Sequence, residues 1–164
     1  MATINGVNVT DLQQTKERVT QDPAAADREP TVAARWLGGS ASRVEFKGKT
    51  AHIGGEGNLN PMQNLLASLA ACDIDLIAMH AALIGLPIKD LRIEVTGHFN
   101  SQAYYGVESA PGAGYDRIAY TIHLTAPQAT AEQIDHLRKR CERSSPVGDS
   151  LGKSIPLTLE LTQA

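Results

Sequence analysis

Two side chains in this 164-residue sequence can do covalent chemistry of their own, the thiols of Cys72 and Cys141, its only cysteines. A thiol reacts as the thiolate, so each has to be read with its neighbours. Cys72 follows the apolar run Leu65-Leu66-Ala67-Ser68-Leu69-Ala70-Ala71 and is followed by Asp73 and Asp75. Both carboxylates disfavour a thiolate, and any activating Arg or Lys must come from elsewhere in the fold. Cys141 stands among Arg138, Lys139, Arg140 and Arg143, positive neighbours that lower a thiol's pKa. Each cysteine also has a plainer reading, as a buried residue behaving as a small hydrophobe. A bridge between them needs Cα atoms within about 7 Å, and the sequence leaves that open.

Other chemistries find little support. Two cysteines cannot make a four-thiolate zinc site, and His52, His80, His98, His123 and His136 are scattered, with no HxxxH, ExxH or CxxC spacing. No metal and no cofactor are therefore expected. GGSAS (38–42) and GGEGNLN (54–60) are glycine-rich, but the second precedes a helix without a Lys, and neither forms a Walker loop or a dinucleotide fingerprint. Ser144-Ser145-Pro146 lacks the GxSxG setting of a serine hydrolase. The net charge of −3 and the seven aromatics (one Trp, four Tyr, two Phe) argue against nucleic acid as a partner. The longest apolar region, near residues 65–84, carries Asp73, Asp75 and His80, so it reads as a buried helix of a soluble protein rather than a membrane span. The opening MATINGVNVTDLQQTKER has no apolar run of the signal-peptide kind. A cytoplasmic protein with reduced thiols is the expectation.

The elements that must position the thiols follow from periodicity and punctuation. A short amphipathic helix is expected over 10–21, with Thr10 and Gln13 at capping-box spacing and Asp22-Pro23 as its stop. Residues 1–30 then form an N-terminal helical arm and linker to a single domain spanning 1–164. Residues 31–53 read as a three-stranded antiparallel meander, with Lys47-Gly48 turning RVEF into KTAHI. Asn60 caps the main helix and Pro61 opens it. One stripe runs Leu65, Leu69, Cys72, Leu76, Met79, Leu83 and a second runs Leu66, Ala70, Asp73, Ile77, His80, Ile84, and Gly85 and Pro87 end the helix. Strands over 91–99 and 118–126 form a long hairpin, and Thr130 caps a helix through Leu137 and Cys141. A loop or helical turn and a last strand, IPLTLEL (155–161), complete an α+β chain without βαβ rhythm.

The block Asn60-Pro61-Met62-Gln63-Asn64-Leu65-Leu66-Ala67-Ser68-Leu69-Ala70-Ala71-Cys72 resembles the Asn-Pro-to-Cys helix of the OsmC-like superfamily, the osmotically inducible protein C and organic hydroperoxide resistance proteins. Trp36-Leu37-Gly38-Gly39, Gly85-Leu86-Pro87-Ile88 and Ser145-Pro146-Val147-x-Asp149-Ser150-Leu151 are similar to further blocks of that family, as is the opening Asn5-Gly6-Val7 of one branch. The resemblance covers nearly the whole chain. It implies antiparallel sheets around a long central Cys-bearing helix in an intertwined homodimer, with sites at the subunit interface. It also implies a redox, stress-response role, in which two thiols reduce an organic hydroperoxide by way of a sulfenic acid and a disulfide.

Against the family pattern, Cys72 matches the helix cysteine. Ser145 stands where the second cysteine usually opens a Cys-Pro motif, and Cys141 lies one helical turn earlier. Met62 replaces the site's Glu and Ser40 its Arg, with Arg43 nearby to substitute. The site residues to follow are thus Cys72, Cys141 and Arg43 for catalysis and Met62, Ser40 and Ser145 for a pocket. The departures give an alternative, a non-peroxidatic member binding a small apolar ligand or a partner in the dimer pocket.

Overall fold

The computed structural model describes residues 3–163. It opens with a hairpin absent from the sequence reading, β1 (Thr3–Ile4) and β2 (Val7–Asn8), turned at Asn5-Gly6 with both residues at positive φ. Asn and Gly tolerate that region, which the tight turn requires. Helix α1 (Val9–Gln21) follows, capped by Asn8 rather than by Thr10. The Asn8 Oδ1 accepts from the Thr10 and Asp11 amides. The expected capping box fails because the hairpin delivers Asn8 to the helix start one turn before Gln13 is in place.

The meander is present as β3 (Ala33–Gly38), β4 (Ala41–Phe46) and β5 (Lys49–Ile53), in order β3-β4-β5 and antiparallel throughout. Lys47 and Gly48 both take positive φ at its second turn, as a two-residue hairpin demands. This sheet packs chiefly on itself and has no extensive contact with any helix. Trp36 is 75% exposed on it.

Helix α2 (Pro61–Leu83) is the centre of the chain. Its start carries the expected Asn60 cap, and Gln63 completes a capping box: the Gln63 amide donates to Asn60 Oδ1 at 2.8 Å and the Asn60 amide to Gln63 Oε1 at 2.9 Å. By length and composition alone α2 could cross a membrane. Here it packs on the hairpin β6 (Asp90–Phe99) and β7 (Tyr115–Thr125), on α3 (Ala131–Ser144) and on α4 (Pro146–Leu151). Its buried residues, Leu69, Asp73, Leu76, Ile77, Ala81 and Ala82, lie along the seam between the two stripes. Leu65 and Ile74, outside that seam, are exposed in the single chain.

The hairpin presents one face to the helices. The registered pairs Leu91–Leu124, Ile93–Ile122 and Val95–Tyr120 alternate with outward polar residues. Leu91, Ile93, Ile122 and Leu124 pack against a core of Leu76, Ile77, Ala81, Leu86, Leu137 and Cys141. Burial of these apolar side chains supplies most of the stabilisation of this half of the molecule. The chain leaves α2 through Gly85, at φ 69°, and Asn5 clamps that exit. Its Nδ2 donates to the Leu86 carbonyl at 3.0 Å, and its Oδ1 accepts from the Ile88 amide at 2.8 Å.

The last strand does not form within the chain. Residues 155–161 form no regular element and pair with no strand, and Leu157, Leu159 and Leu161 are each more than nine-tenths exposed. The alternation read from IPLTLEL is a strand pattern with no ladder inside one chain to complete it.

The Asn5 clamp gives a measurable expectation. Asn5→Ala leaves a half-buried amide and carbonyl without their partner and should cost about 1–3 kcal/mol of stability. Thermal or urea unfolding reads this as a lowered midpoint with the fold unchanged by circular dichroism.

Candidate functional site

The two cysteines reach the same region from two helices that pack side by side, α2 and α3. Both are free thiols, Cys72 half-buried and Cys141 buried. Ser145, the C-cap of α3 and N-cap of α4, sits against Cys72 and is almost wholly buried. Its Oγ accepts from the Gly148 amide at 3.1 Å and donates to Cys72 Sγ at 3.6 Å. With the Gly148 amide on its lone pair, the hydroxyl keeps its proton free to point at the sulfur. A Cβ at Gly148 would lie 2.9 Å from the Ser145 Oγ, so only glycine lets α4 close on that side chain.

Asp73, next to Cys72 on α2, has no exposed surface, and neither of its carboxylate oxygens is hydrogen-bonded. Its charge falls on two neighbours. The Cys141 thiol is pushed up to about 12, first by burial and then by Asp73, with Cys72 and Glu142 adding to it. The Tyr120 hydroxyl is likewise pushed up to about 12, by burial and then by Asp73. Tyr120 faces the carboxylate without completing a hydrogen bond of good geometry.

This reverses the expectation for Cys141. Arg138, Lys139, Arg140 and Arg143 are all exposed, whereas Cys141 turns inward. Arg138 and Lys139 are engaged by Asp135 and Glu142, and Arg140 faces a different cleft. Adjacency in sequence on a helix does not mean adjacency in space, and the inward side of α3 sees Asp73 instead.

A cleft of about 340 Å³ opens beside Cys141; Cys72 is not among its lining residues. Leu69 of α2, Tyr115, Arg117 and Tyr120 of β7, Cys141 of α3 and Leu151 of α4 are among its walls. Tyr115 lies across Gly97, where an added Cβ would come within 2.4 Å of its ring, and its hydroxyl donates to the Met62 carbonyl at 2.9 Å. Met62 is therefore joined to the cleft through its backbone.

The other sequence-derived site residues lie apart from the thiols. Ser40 accepts from the Gly55 amide at 3.3 Å. Arg43 pairs with Glu45 at 2.5 Å on β4, and its Nε is buried without a partner. Among the described residues no hydrogen bond or ion pair joins Arg43 to either cysteine. The cation that does line the cleft is Arg117, which has no ion-pair partner among the described residues. Sequence reasoning did not single out Arg117 or Tyr120 in β7, nor did it bury Asp73. A signal existed for two of these, since Asp73 interrupts an apolar stripe and Tyr120 shares the alternation of Ile118, Ile122 and Leu124. Among the described residues no three His, Cys, Asp or Glu side chains converge as metal ligands do.

Comparison with known proteins agrees with this architecture. The family model described as OsmC-like protein matches residues 54–160. The chain belongs to the OsmC-like family. Solved structures share its fold at low identity. An OsmC-like protein from Mycoplasma pneumoniae superposes with a TM-score of 0.65 at 17% identity, covering 77% of this chain and 89% of that one. An OsmC-like protein from Vibrio cholerae gives 0.57 at 12% identity, covering 76% and 94%. A Legionella pneumophila protein described as an organic hydroperoxide resistance protein OsmC gives 0.50 at 19% identity, covering 77% and 90%. No curated protein sequence matches the chain.

The buried carboxylate sets two expectations. The folded chain holds the Cys141 thiol above its ordinary value of 9.0, so this contribution to stability is fully present below about pH 9 and is lost as pH rises toward 12. Cys141→Ser should flatten that alkaline loss in a pH series of unfolding curves. Asp73→Asn should move the Cys141 titration back down, read as faster alkylation of Cys141 at pH 9 in a Cys72→Ser background. An unchanged alkylation rate would show that Asp73 does not act on that thiol.

Proposed function

We propose that this OsmC-like protein reduces organic hydroperoxides with Cys72 as the attacking thiol and Cys141 as its resolving partner. The observation that carries the reading is the Ser145 hydroxyl donating to Cys72 Sγ at 3.6 Å. That contact puts a hydroxyl donor on the Cys72 sulfur, and no such donor serves Cys141 among the described side chains. The half-buried Cys72 is also the more accessible of the two.

The chemistry balances with two thiols. The Cys72 thiolate attacks the terminal peroxide oxygen, the O–O bond breaks, and the alkoxide leaves as the alcohol after taking a proton. Cys72 is left as the sulfenic acid. The Cys141 sulfur then attacks the Cys72 sulfur, an S–S bond forms, and hydroxide leaves with the Cys141 proton as water. An external dithiol returns two electrons. The raised pKa of Cys141 makes it the poorer first attacker, and as the resolving thiol it must still give up its proton, here to the departing hydroxide. Leu69, Ile118 and Leu151 offer the organic substituent an apolar wall, and Arg117 offers the peroxide a charge.

The reading includes an intertwined homodimer in the cytoplasm. Its support is the apolar surface that one chain leaves uncovered: the meander carrying Trp36, the residues Leu65 and Ile74 of α2, and the unpaired 155–161 segment. A second copy offers a strand partner for that segment and a cover for the helix. Sedimentation should give twice the 17.5 kDa chain mass.

A second reading is favoured by the same cleft. The missing contact between Arg43 and Cys72, with Cys141 pushed up to about 12, fits a non-peroxidatic member that binds a small apolar ligand there.

Incubation with cumene hydroperoxide separates the two. One equivalent should be consumed per chain, with loss of both titratable thiols. Cys72→Ser should consume none, while Cys141→Ser should still form a sulfenic acid that a dimedone probe captures. No consumption, with both thiols still titratable, removes the redox reading.

A further inference from the structure

A second cleft, also of about 340 Å³, lies where α1, the end of α2 and α3 come together. Its polar walls are Gln13 and Lys16 of α1, His80 of α2, and His136 and Arg140 of α3, and its apolar wall is Leu83 and Ile84. Four basic side chains from three elements thus face one space. The His80 and His136 rings meet edge to face, with centroids 6.1 Å apart. Neither Lys16 nor Arg140 has an ion-pair partner among the described residues, whereas seven other basic side chains, two of them histidines, pair with acids.

What sets this cleft apart is the convergence of four basic side chains with no acid in its wall. On α3 the solvent face is laced with ion pairs: Asp135 takes Arg138 and Lys139, and Glu142 takes Arg138. Arg140, one residue on, turns away from these acids and toward His136, His80 and Lys16. No acidic side chain lines the cleft. Glu17, beside Lys16, lines the neighbouring groove along α1, which Lys16 also borders. Gathering like charges without a counter-charge costs free energy unless something neutralises them. The repulsion is visible at His80, whose pKa is lowered by burial, then by Arg140, His136 and Lys16.

We propose that this cleft binds an oxyanion of the phosphate class. Two permanent cations match a dianion, and the forked guanidinium of Arg140 suits a tetrahedral oxyanion that Lys16 meets as a point charge. The two imidazoles add donors that become cationic as pH falls. The lack of a Phe, Tyr or Trp platform in the wall argues against a nucleic acid strand, and Leu83 and Ile84 offer an apolar substituent a surface beside the anion.

The test follows the histidines of the full-length protein by NMR. Their ring protons are titrated from pH 5 to 8 in 20 mM inorganic phosphate and in sodium chloride of equal ionic strength. A bound anion favours the protonated rings, so the His80 and His136 titrations should move upward in phosphate and not in chloride. Lys16→Gln and Arg140→Gln, both surface changes that leave the core untouched, should each weaken phosphate binding at least tenfold. Cys72→Ser should leave it unchanged, which keeps the result independent of the thiol chemistry. Phenyl phosphate in place of phosphate tells the sources apart: tighter binding assigns Leu83 and Ile84 to an organic substituent, and equal binding assigns the site to the free ion. Identical titrations in phosphate and chloride would overturn the proposal, as would a phosphate shift that survives in both Gln variants.

Discussion

Helix α2 carries more apolar surface than one chain can cover, and the rest of the structure is arranged around that fact. Its two apolar stripes together span well over the arc that a single packing partner shields. The β6–β7 hairpin covers one side, and α3 and α4 cover a second. The buried line from Leu69 to Ala82 runs where these covers meet. Leu65 and Ile74 fall outside them, and the meander and the 155–161 segment stand away from the core with their own apolar residues exposed. A core this one-sided explains why every chemically interesting side chain is found along α2 or on an element packed against it.

The polar groups set into that core do not share one character. Ser145 is satisfied on both counts, accepting from Gly148 and donating to Cys72. Asp73 is satisfied on neither oxygen. A buried carboxylate without partners costs stability. It persists where it acts on something else, and here its field falls on Cys141 and Tyr120. The two thiols therefore differ by environment rather than by chemistry: one faces a hydroxyl donor, the other a negative charge. The seam between α2 and α3 continues past them to His80 and His136, where the same pair of helices gathers positive charge. Opposite signs at the two ends of one seam divide the molecule into a thiol region and a basic cleft.

Local rules were enough for most of the elements. Asn60-Pro61, Thr130 with Gln133, Lys47-Gly48 and the alternation of 91–99 each name their element through a hydrogen bond or a backbone preference satisfied within a few residues. Where local rules failed, a more distant contact had intervened. Thr10 lost its cap to Asn8 because the β1–β2 hairpin sets the helix start. IPLTLEL has a strand's alternation but no partner strand in the chain, and pairing is not a property of the segment itself.

The sequence by itself determined the long helix with Cys72 on it, the meander, the hairpin, the basic helix with Cys141, and through the motif around Asn60-Pro61 the family to which they belong. Each of these depends on neighbours within about two helical turns. Only the tertiary structure decided what each thiol experiences. Arg140 and Arg143 flank Cys141 in sequence but point elsewhere, while Asp73 and Tyr120, 68 and 21 residues away, face it or share its surroundings. A thiol's acidity is set by burial and by charges across space, and those are fixed only when α2, α3 and β7 pack together.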